Sequence, residues 1–462
     1  MVFSSVIFLY VFLPLVLLCY ALAWRFAGLR VANGILLISS LFFYFWGEGI
    51  FTLIMVLSIS INYFAGLWIN AAGKTGNSNI KKLALAIGVI ANLGLLFYFK
   101  YFDFSIQIVN AIWDFEMPLK NILLPIGISF FTFQGMTYII DLYRETVGVQ
   151  KNILKVALYI SLFPQLIAGP IVRYKDIADE IDRRSVNWDD VFYGIKRFII
   201  GLAKKCLIAN VCALIADQIF GLSAGQNSVS TAWVGAISYT LQIYFDFSGY
   251  SDMAIGLGRI LGFHFLENFN LPYISKSITE FWRRWHISLS TFFRDYLYIP
   301  LGGNRKGNVY INLLIVFICT GIWHGAAMTF VVWGLFHGAF IILERIFNRK
   351  KDKNVLEKKQ RSGMGILGHI YTMLVVIVGW VIFRSDTLTY AGEYLKIMFG
   401  MQVPAAVGFS VWYYLDAYNI FIIVLGVFVS LGLPQMLANK FAGKVPKVAG
   451  AVQKISLIGL FV

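Results

Sequence analysis

From Val6 to Trp24 the chain reads "VIFLYVFLPLVLLCYALAW" without a single charge, and "LALAIGVIANLGLLFYF" repeats the pattern at Leu83–Phe99. A helix of about 20 apolar residues crosses the roughly 30 Å hydrocarbon core of a bilayer while bonding all of its own backbone groups. The mean hydropathy of +0.72 and the 462 residues leave room for about ten to twelve such runs. These runs imply an all-α fold, a polytopic integral membrane protein with about ten to twelve transmembrane or re-entrant helices. Only "MVFSS" precedes the first run, with neither a basic n-region nor a small-residue cleavage site, so that run is expected to be a retained span.

The formal charge of +15 would suit nucleic acid in a soluble protein. In a membrane chain the simpler source is the excess of Lys and Arg in cytoplasmic loops, and no nucleic-acid partner is expected. Basic loops at Arg25–Arg30, Lys74–Lys82 and Glu344–Arg361 are assigned to the cytoplasm, and the charge-poor stretch Leu388–Tyr418 to the outside. Arg173–Arg197 balances six basic residues against six acids and is expected to be a solvated amphipathic surface helix. The C-terminal "ISLIGLFV" is too short to span. No repeat or soluble insert of domain size interrupts the chain, so residues 1–462 are treated as one membrane-embedded domain.

Cys19, Cys206, Cys212 and Cys319 lie in apolar surroundings with no metal or redox spacing and are expected to be core packing. No metal-ligand spacing is present among the histidines, and no bound cofactor is implied. "LLPIGISFFTFQG" (Leu123–Gly135) and "SLFPQLIAGPIVRY" (Ser161–Tyr174) carry proline and glycine where a simple span needs none. Broken helices at membrane depth are tolerated where protein or a water-filled cavity covers the freed backbone groups.

Polar chemistry concentrates in three stretches. In "LQIYFDFSGYSDMAIGLGRILGFHFLENFNLPYIS" (Leu241–Ser275), Asp246 and Asp252 are costly at membrane depth and so are functional candidates, or else structural partners of Arg259, Arg283 or Arg284. In "SITEFWRRWHISLSTFFRDYLYIPLGGNRKG" (Ser277–Gly307), a continuous helix would set Trp282, His286 and Leu289 on one aromatic face, where the residues alone favour His286 as a core histidine bonded to a neighbouring carbonyl, with Arg283 and Arg284 pointing elsewhere. The "GGNRKG" loop adds Arg305 and Lys306, and together these four form a cationic rim suited to polyphosphate or anionic headgroups; no Walker order is present. In "NLLIVFICTGIWHGAAMTFVVWGLFHG" (Asn312–Gly338), "GIWHG" is expected at a helix break or tight packing point, with Gly321 and Gly325 leaving open space around His324. A reachable imidazole with a tunable pKa is what a general base needs. His337, about 220° around a helix from His324, ranks lower. These features support two readings equally: acyl transfer with histidine as base, or a proton-coupled transporter with histidine and aspartate relays.

The stretches "QIYFDFSGYSDMAIGLGRILGF", "ENFNLPYIS", "FWRRWHISLSTFFRDYLYIPLGGNRKG" and "GIWHGAAMTFVVWGLFHG" closely resemble the alginate O-acetyltransferase branch of the membrane-bound O-acyltransferase family. The opening "MVFSSVIFLYVFLPLVLLCYAL", "YFKYFDF", "LPIGISFFTFQGMTYIIDLYR" and "SLFPQLIAGPIVRY" extend the likeness from the start to about Phe383. The resemblance implies a ring of tilted helices around a central tunnel in a bacterial cytoplasmic membrane. It implies acetyl-CoA as cytoplasmic donor, a polysaccharide acceptor outside, and an extracytoplasmic SGNH-type acetyltransferase as partner. The family's invariant histidine falls on His324 and the branch's second active-site histidine on His286. On this reading His324 deprotonates the acceptor or carries the acetyl group, and His286 orients the acceptor or stabilises the oxyanion. Arg283, Arg284, Arg305 and Lys306 would receive the phosphates of coenzyme A. The teichoic acid D-alanyltransferases of the same family share a Trp-His motif and leave D-alanyl transfer as an alternative.

Overall fold

A computed structural model of the chain describes residues 2–113, 115–352, 365–404, 407–434 and 436–437. The basic residues Lys353, Lys358, Lys359 and Arg361 and the C-terminal "ISLIGLFV" lie outside the described residues. Every regular element among the described residues is helical. Among the described residues, six stretches are long and apolar enough to cross a bilayer: Phe8–Ala27, Leu29–Lys74, Ser78–Trp113, Trp188–Phe220, Met328–Phe347 and Gly365–Arg384. The 46-residue stretch breaks at Gly49, where φ of 55° takes the backbone into a region that glycine enters at little cost. Along the first helix Leu15, Leu18, Leu22 and Phe26 are exposed while Val16 and Tyr20 are buried. An apolar outer face and a packed inner one are what lipid as solvent allows.

The chain packs as two compact units, Met1–Phe198 with Tyr250–Leu266, and Ile199–Gly249 with Glu267–Val462. In the first, the helices Thr52–Lys74 and Ser78–Leu96 are joined by a buried reciprocal amide pair. Asn62 Nδ2 donates to Asn92 Oδ1 at 3.0 Å and Asn92 Nδ2 to Asn62 Oδ1 at 2.9 Å. Two amides that answer each other leave little polar surface to lipid. The proline- and glycine-bearing stretches do break: helix Ile128–Tyr143 starts after a left-handed Gly127, and Ile153–Ser161 is followed by the four-residue turn Phe163–Leu166.

Two sequence expectations change here. Arg173–Arg197 is not a single surface helix. It is divided between Tyr174–Asp182 and the start of Trp188–Ala203, and the second belongs to a stretch apolar enough to span. In the turn between them, Arg184 is drawn inward, donating to Asn33 Oδ1 at 2.6 Å, Leu261 O at 3.0 Å, Glu180 O at 3.1 Å and Tyr20 Oη at 3.2 Å. The Phe263 ring lies 4.3 Å from its guanidinium carbon. A planar fork of five donors can serve several scattered acceptors at once, whereas sequence shows only one more basic residue. The cysteines also differ: Cys212 is buried, Cys19 and Cys319 are half-buried and Cys206 is exposed, because an apolar side chain in a membrane helix can face lipid as readily as core.

Arg184→Ala strips a charge-assisted donor from Asn33, Tyr20 and two backbone carbonyls, and hydrogen bonds to charged groups are worth about 1.5–3 kcal/mol. A loss of about 2 kcal/mol is expected, to be measured as a lowered unfolding temperature in detergent, with Arg184→Lys recovering only part of it.

Candidate active site

The second unit holds both candidate histidines, and each sits where a helix stops. The helix Ile278–Arg284 begins under a carboxylate. Glu344 accepts from the backbone N–H of Ile278 at 2.6 Å and of Thr279 at 2.9 Å, and from Thr279 Oγ1 at 2.7 Å, satisfying donors that a helix start leaves open. This helix does not continue through His286, contrary to the one-face arrangement expected from the spacing of Trp282, His286 and Leu289. Trp285 is extended, and His286 adopts φ 44° and ψ 55° before helix Ile287–Phe293 begins. A non-glycine residue in the left-handed region carries strain that the surroundings must hold in place, a condition concentrated at functional sites. The surroundings here are Asn268 and Asn270: Ile287 N donates to Asn268 O at 2.9 Å and Asn270 N to Arg284 O at 3.0 Å.

The His286 side chain is fully buried. Its ring stands edge-on to Phe247, with centroids 4.6 Å apart, and 5.8 Å from Trp323. Nδ1 is 3.1 Å from Asn268 Oδ1. Trp323 is in turn 4.9 Å from the ring of His324, so one indole separates the two imidazoles.

His324 is the last residue of helix Val309–His324, and the chain turns through Gly325 into helix Met328–Asp352. This is the helix break the sequence predicts, but the glycines do not leave open space. A Cβ on Gly321 would lie 2.3 Å from the Phe330 carbonyl oxygen, and one on Gly325 would lie 2.1 Å from the Phe330 ring. Gly334 has the reciprocal relation to the Phe317 carbonyl, at 2.3 Å. The glycines therefore let two helix backbones touch, as small residues do in membranes, and Phe330 fills the place beside Gly325. The His324 ring is half-buried, with Trp333 at 5.0 Å and Phe383 at 5.1 Å.

Phe383 and Phe330 also wall a cleft of about 450 Å³ whose polar lining includes Asp217, Gln242, Arg384 and Asp386. Arg384 donates to Asp217 Oδ1 at 2.8 Å. A second cleft, about 570 Å³, is lined by Asn304, Asn308, Tyr310 and Arg345 among others, at the start of helix Val309–His324. Sixteen residues at 1.5 Å each make that helix ~24 Å long, so the two clefts open at opposite ends of it.

The remaining sequence candidates are paired with other residues or exposed. Arg284 is engaged by Glu280 at 3.0 Å and by the Asn270 carbonyl at 3.1 Å, while Arg283, Arg305 and Lys306 are exposed. The backbone N–H groups of Arg305 and Lys306 close a tight turn on Gly302 O, each at 3.0 Å, and Arg345 reaches Asn304 Oδ1 at 3.1 Å. Asp246 pairs with Lys205 at 2.6 Å and Asp252 with Arg197 at 2.7 Å, not with Arg259, Arg283 or Arg284. His337 is fully buried, accepts from Trp282 Nε1 at 3.4 Å, and leaves no room for a Cβ on Gly379, which would meet its Nε2 at 2.7 Å. Asn268, Phe247 and Trp323 escaped the sequence reading. Trp323 left a trace in the Trp-His motif, and Asn268 as a polar residue inside "ENFNLPYIS".

The family model described as MBOAT, membrane-bound O-acyltransferase family, matches residues 40–385. The chain belongs to this family. It is thus an O-acyltransferase and a multi-pass membrane protein, and its helices carry the histidines of the sequence motifs. Among relatives, it is 46% identical over 406 residues to a protein of Pseudomonas aeruginosa named probable alginate O-acetylase AlgI, covering 86% of this chain and 75% of that one. It is 37% identical over 433 residues to the peptidoglycan O-acetyltransferase of Helicobacter pylori, covering 87% and 80%. Similarity to the teichoic acid D-alanyltransferase of Bacillus subtilis is lower, 30% over 298 residues, covering 60% and 74%.

Proposed function

We propose that this protein transfers acetyl groups from cytoplasmic acetyl-CoA to hydroxyl groups of an extracytoplasmic polysaccharide, directly or through an SGNH-type partner, in the cytoplasmic membrane of a bacterium. The observation that carries the reading is the pair of imidazoles, His286 and His324, each at a helix end and each in ring contact with Trp323, beside a cleft that Phe383 shares. His324 acts as the base that takes the acceptor proton as the hydroxyl attacks the thioester carbonyl; the new C–O bond forms, the C–S bond breaks, and the thiolate of coenzyme A leaves. His286 orients the acceptor. Arg283, Arg305 and Lys306, with Arg284 partly neutralised by Glu280, receive the phosphates of the donor on the face that the basic loops assign to the cytoplasm. The opposed clefts suit a donor and an acceptor that arrive from different sides. Acetyl transfer is favoured over D-alanyl transfer by the higher identity to the O-acetylating relatives.

Purified protein in liposomes is expected to release coenzyme A from acetyl-CoA in the presence of an acceptor polysaccharide. His286→Ala is expected to lower that turnover about 10²-fold or more. Solute or proton flux without acetyl-CoA, and no coenzyme A release, would overturn the transferase reading in favour of a transporter.

A further inference from the structure

Three contacts of the Asn268 side chain determine which nitrogen of His286 carries its proton. Asn268 Oδ1 lies 2.9 Å from Ser288 Oγ, 3.2 Å from Ser288 N and 3.1 Å from His286 Nδ1. A backbone N–H can only donate, so the amide atom facing Ser288 N is the oxygen; the flipped amide would set donor against donor. An amide oxygen can only accept, and the contact to Nδ1 therefore places the proton on Nδ1. Ser288 Oγ, 3.5 Å from Nδ1, has one proton, which the shorter contact to Asn268 takes, leaving its lone pairs toward the ring. In the neutral imidazole Nε2 then bears the lone pair, and Nε2 makes no hydrogen bond among the described residues.

The rest of the environment leaves this assignment undisturbed. Phe247 and Trp323 enclose the ring, and the titratable group acting on it is His324. Asp246, one residue before Phe247, is paired with Lys205, and Glu267, beside Asn268, is exposed. Asn268 also binds the main chain past the kink, through Ile287 N, so one residue holds both the left-handed backbone and the ring orientation.

We propose that Asn268 is a positioning residue that locks His286 in the Nδ1-protonated tautomer, so that His286 orients the acceptor by accepting a hydrogen bond at Nε2. The role rests on the reading of His286 as part of the active site. It separates the two roles implied for this histidine, because a neutral ring held this way has no proton at Nε2 with which to stabilise an oxyanion. Since the attacking hydroxyl gives its one proton to His324, the hydroxyl that His286 accepts from is a neighbouring one, as a sugar ring supplies.

The test is histidine nitrogen NMR on the full-length protein in detergent at alkaline pH, with the His286 resonances identified by their loss in His286→Gln, alongside acetyl-CoA turnover. The wild type is expected to show the Nδ1–H tautomer at His286. Asn268→Asp, which keeps the acceptor oxygens, is expected to retain that tautomer and most of the turnover. Asn268→Leu is expected to yield a mixed or reversed tautomer and to lose about 10²–10⁴-fold in turnover, the range for a misprotonated catalytic histidine. An Nε2–H tautomer in the wild type overturns the assignment, as does an Asn268→Leu protein with unchanged tautomer and near-normal turnover. A wild type with the Nδ1–H tautomer but no acetyl-CoA turnover supports the lock and overturns the transferase reading instead.

Discussion

His324→Ala is expected to reduce acetyl transfer about 10²–10⁴-fold, the range that a positioned general base contributes, while the protein remains inserted and abundant. The imidazole is only half-buried, at the end of its helix, and its neighbours Trp323, Trp333 and Phe383 make many ring contacts besides those to it. Truncation to alanine therefore removes chemistry at small cost in packing. Comparing coenzyme A release per folded protein, with folding checked by gel filtration in detergent, separates the two effects. Near-normal turnover would remove His324 from the catalytic role.

Gly321→Val is expected to be the most damaging substitution away from the reacting groups, through a different route. The first added carbon would lie 2.3 Å from the carbonyl oxygen of Phe330 and 3.3 Å from Gly334 Cα. Both are backbone atoms, so no side-chain rotation relieves the clash; the helices Val309–His324 and Met328–Asp352 must separate. Overpacking of this kind costs about 3 kcal/mol, and it displaces His324 three residues further on. Loss of monodisperse protein on extraction is expected, with little turnover in what remains. Gly34→Ala is the control. No heavy atom lies within 4 Å of its added carbon, it stands inside helix Leu29–Glu48, and a gain of about 0.4–1 kcal/mol is expected from a less flexible unfolded chain. A Gly321→Val protein as stable as the wild type would show that the helix contact does not demand glycine.

Much of the architecture was legible because lipid as solvent imposes a one-dimensional rule: a helix that crosses must be apolar along its length. Val6–Trp24 and Leu83–Phe99 announce themselves this way, and proline with glycine in Leu123–Gly135 and Ser161–Tyr174 marks where helices break. What periodicity misplaced was His286. Seven-residue helices, Ile278–Arg284 and Ile287–Phe293, lie on either side of the break, and the contacts that hold it come from Asn268 and Asn270, more than a dozen positions earlier. Arg184 was hidden for the same reason, since its acceptors at Tyr20, Asn33 and Leu261 are scattered along the first unit.

Gly321 and Gly325 show where the division lies. Their spacing beside His324 marked a special place, yet a glycine in sequence is equally a gap and a point of contact, and only the position of Phe330 decides between them. The amino-acid sequence alone determined the membrane class and the helical fold, which follow from local composition, and its motifs marked His324 and, through the family resemblance, His286 as candidates. The tertiary structure alone decided that His286 sits on a strained turn, that Asn268 holds its ring, and that Phe383 joins His324 to a cleft. Hydrogen-bond direction and backbone contact are relations between distant residues, and no local pattern encodes them.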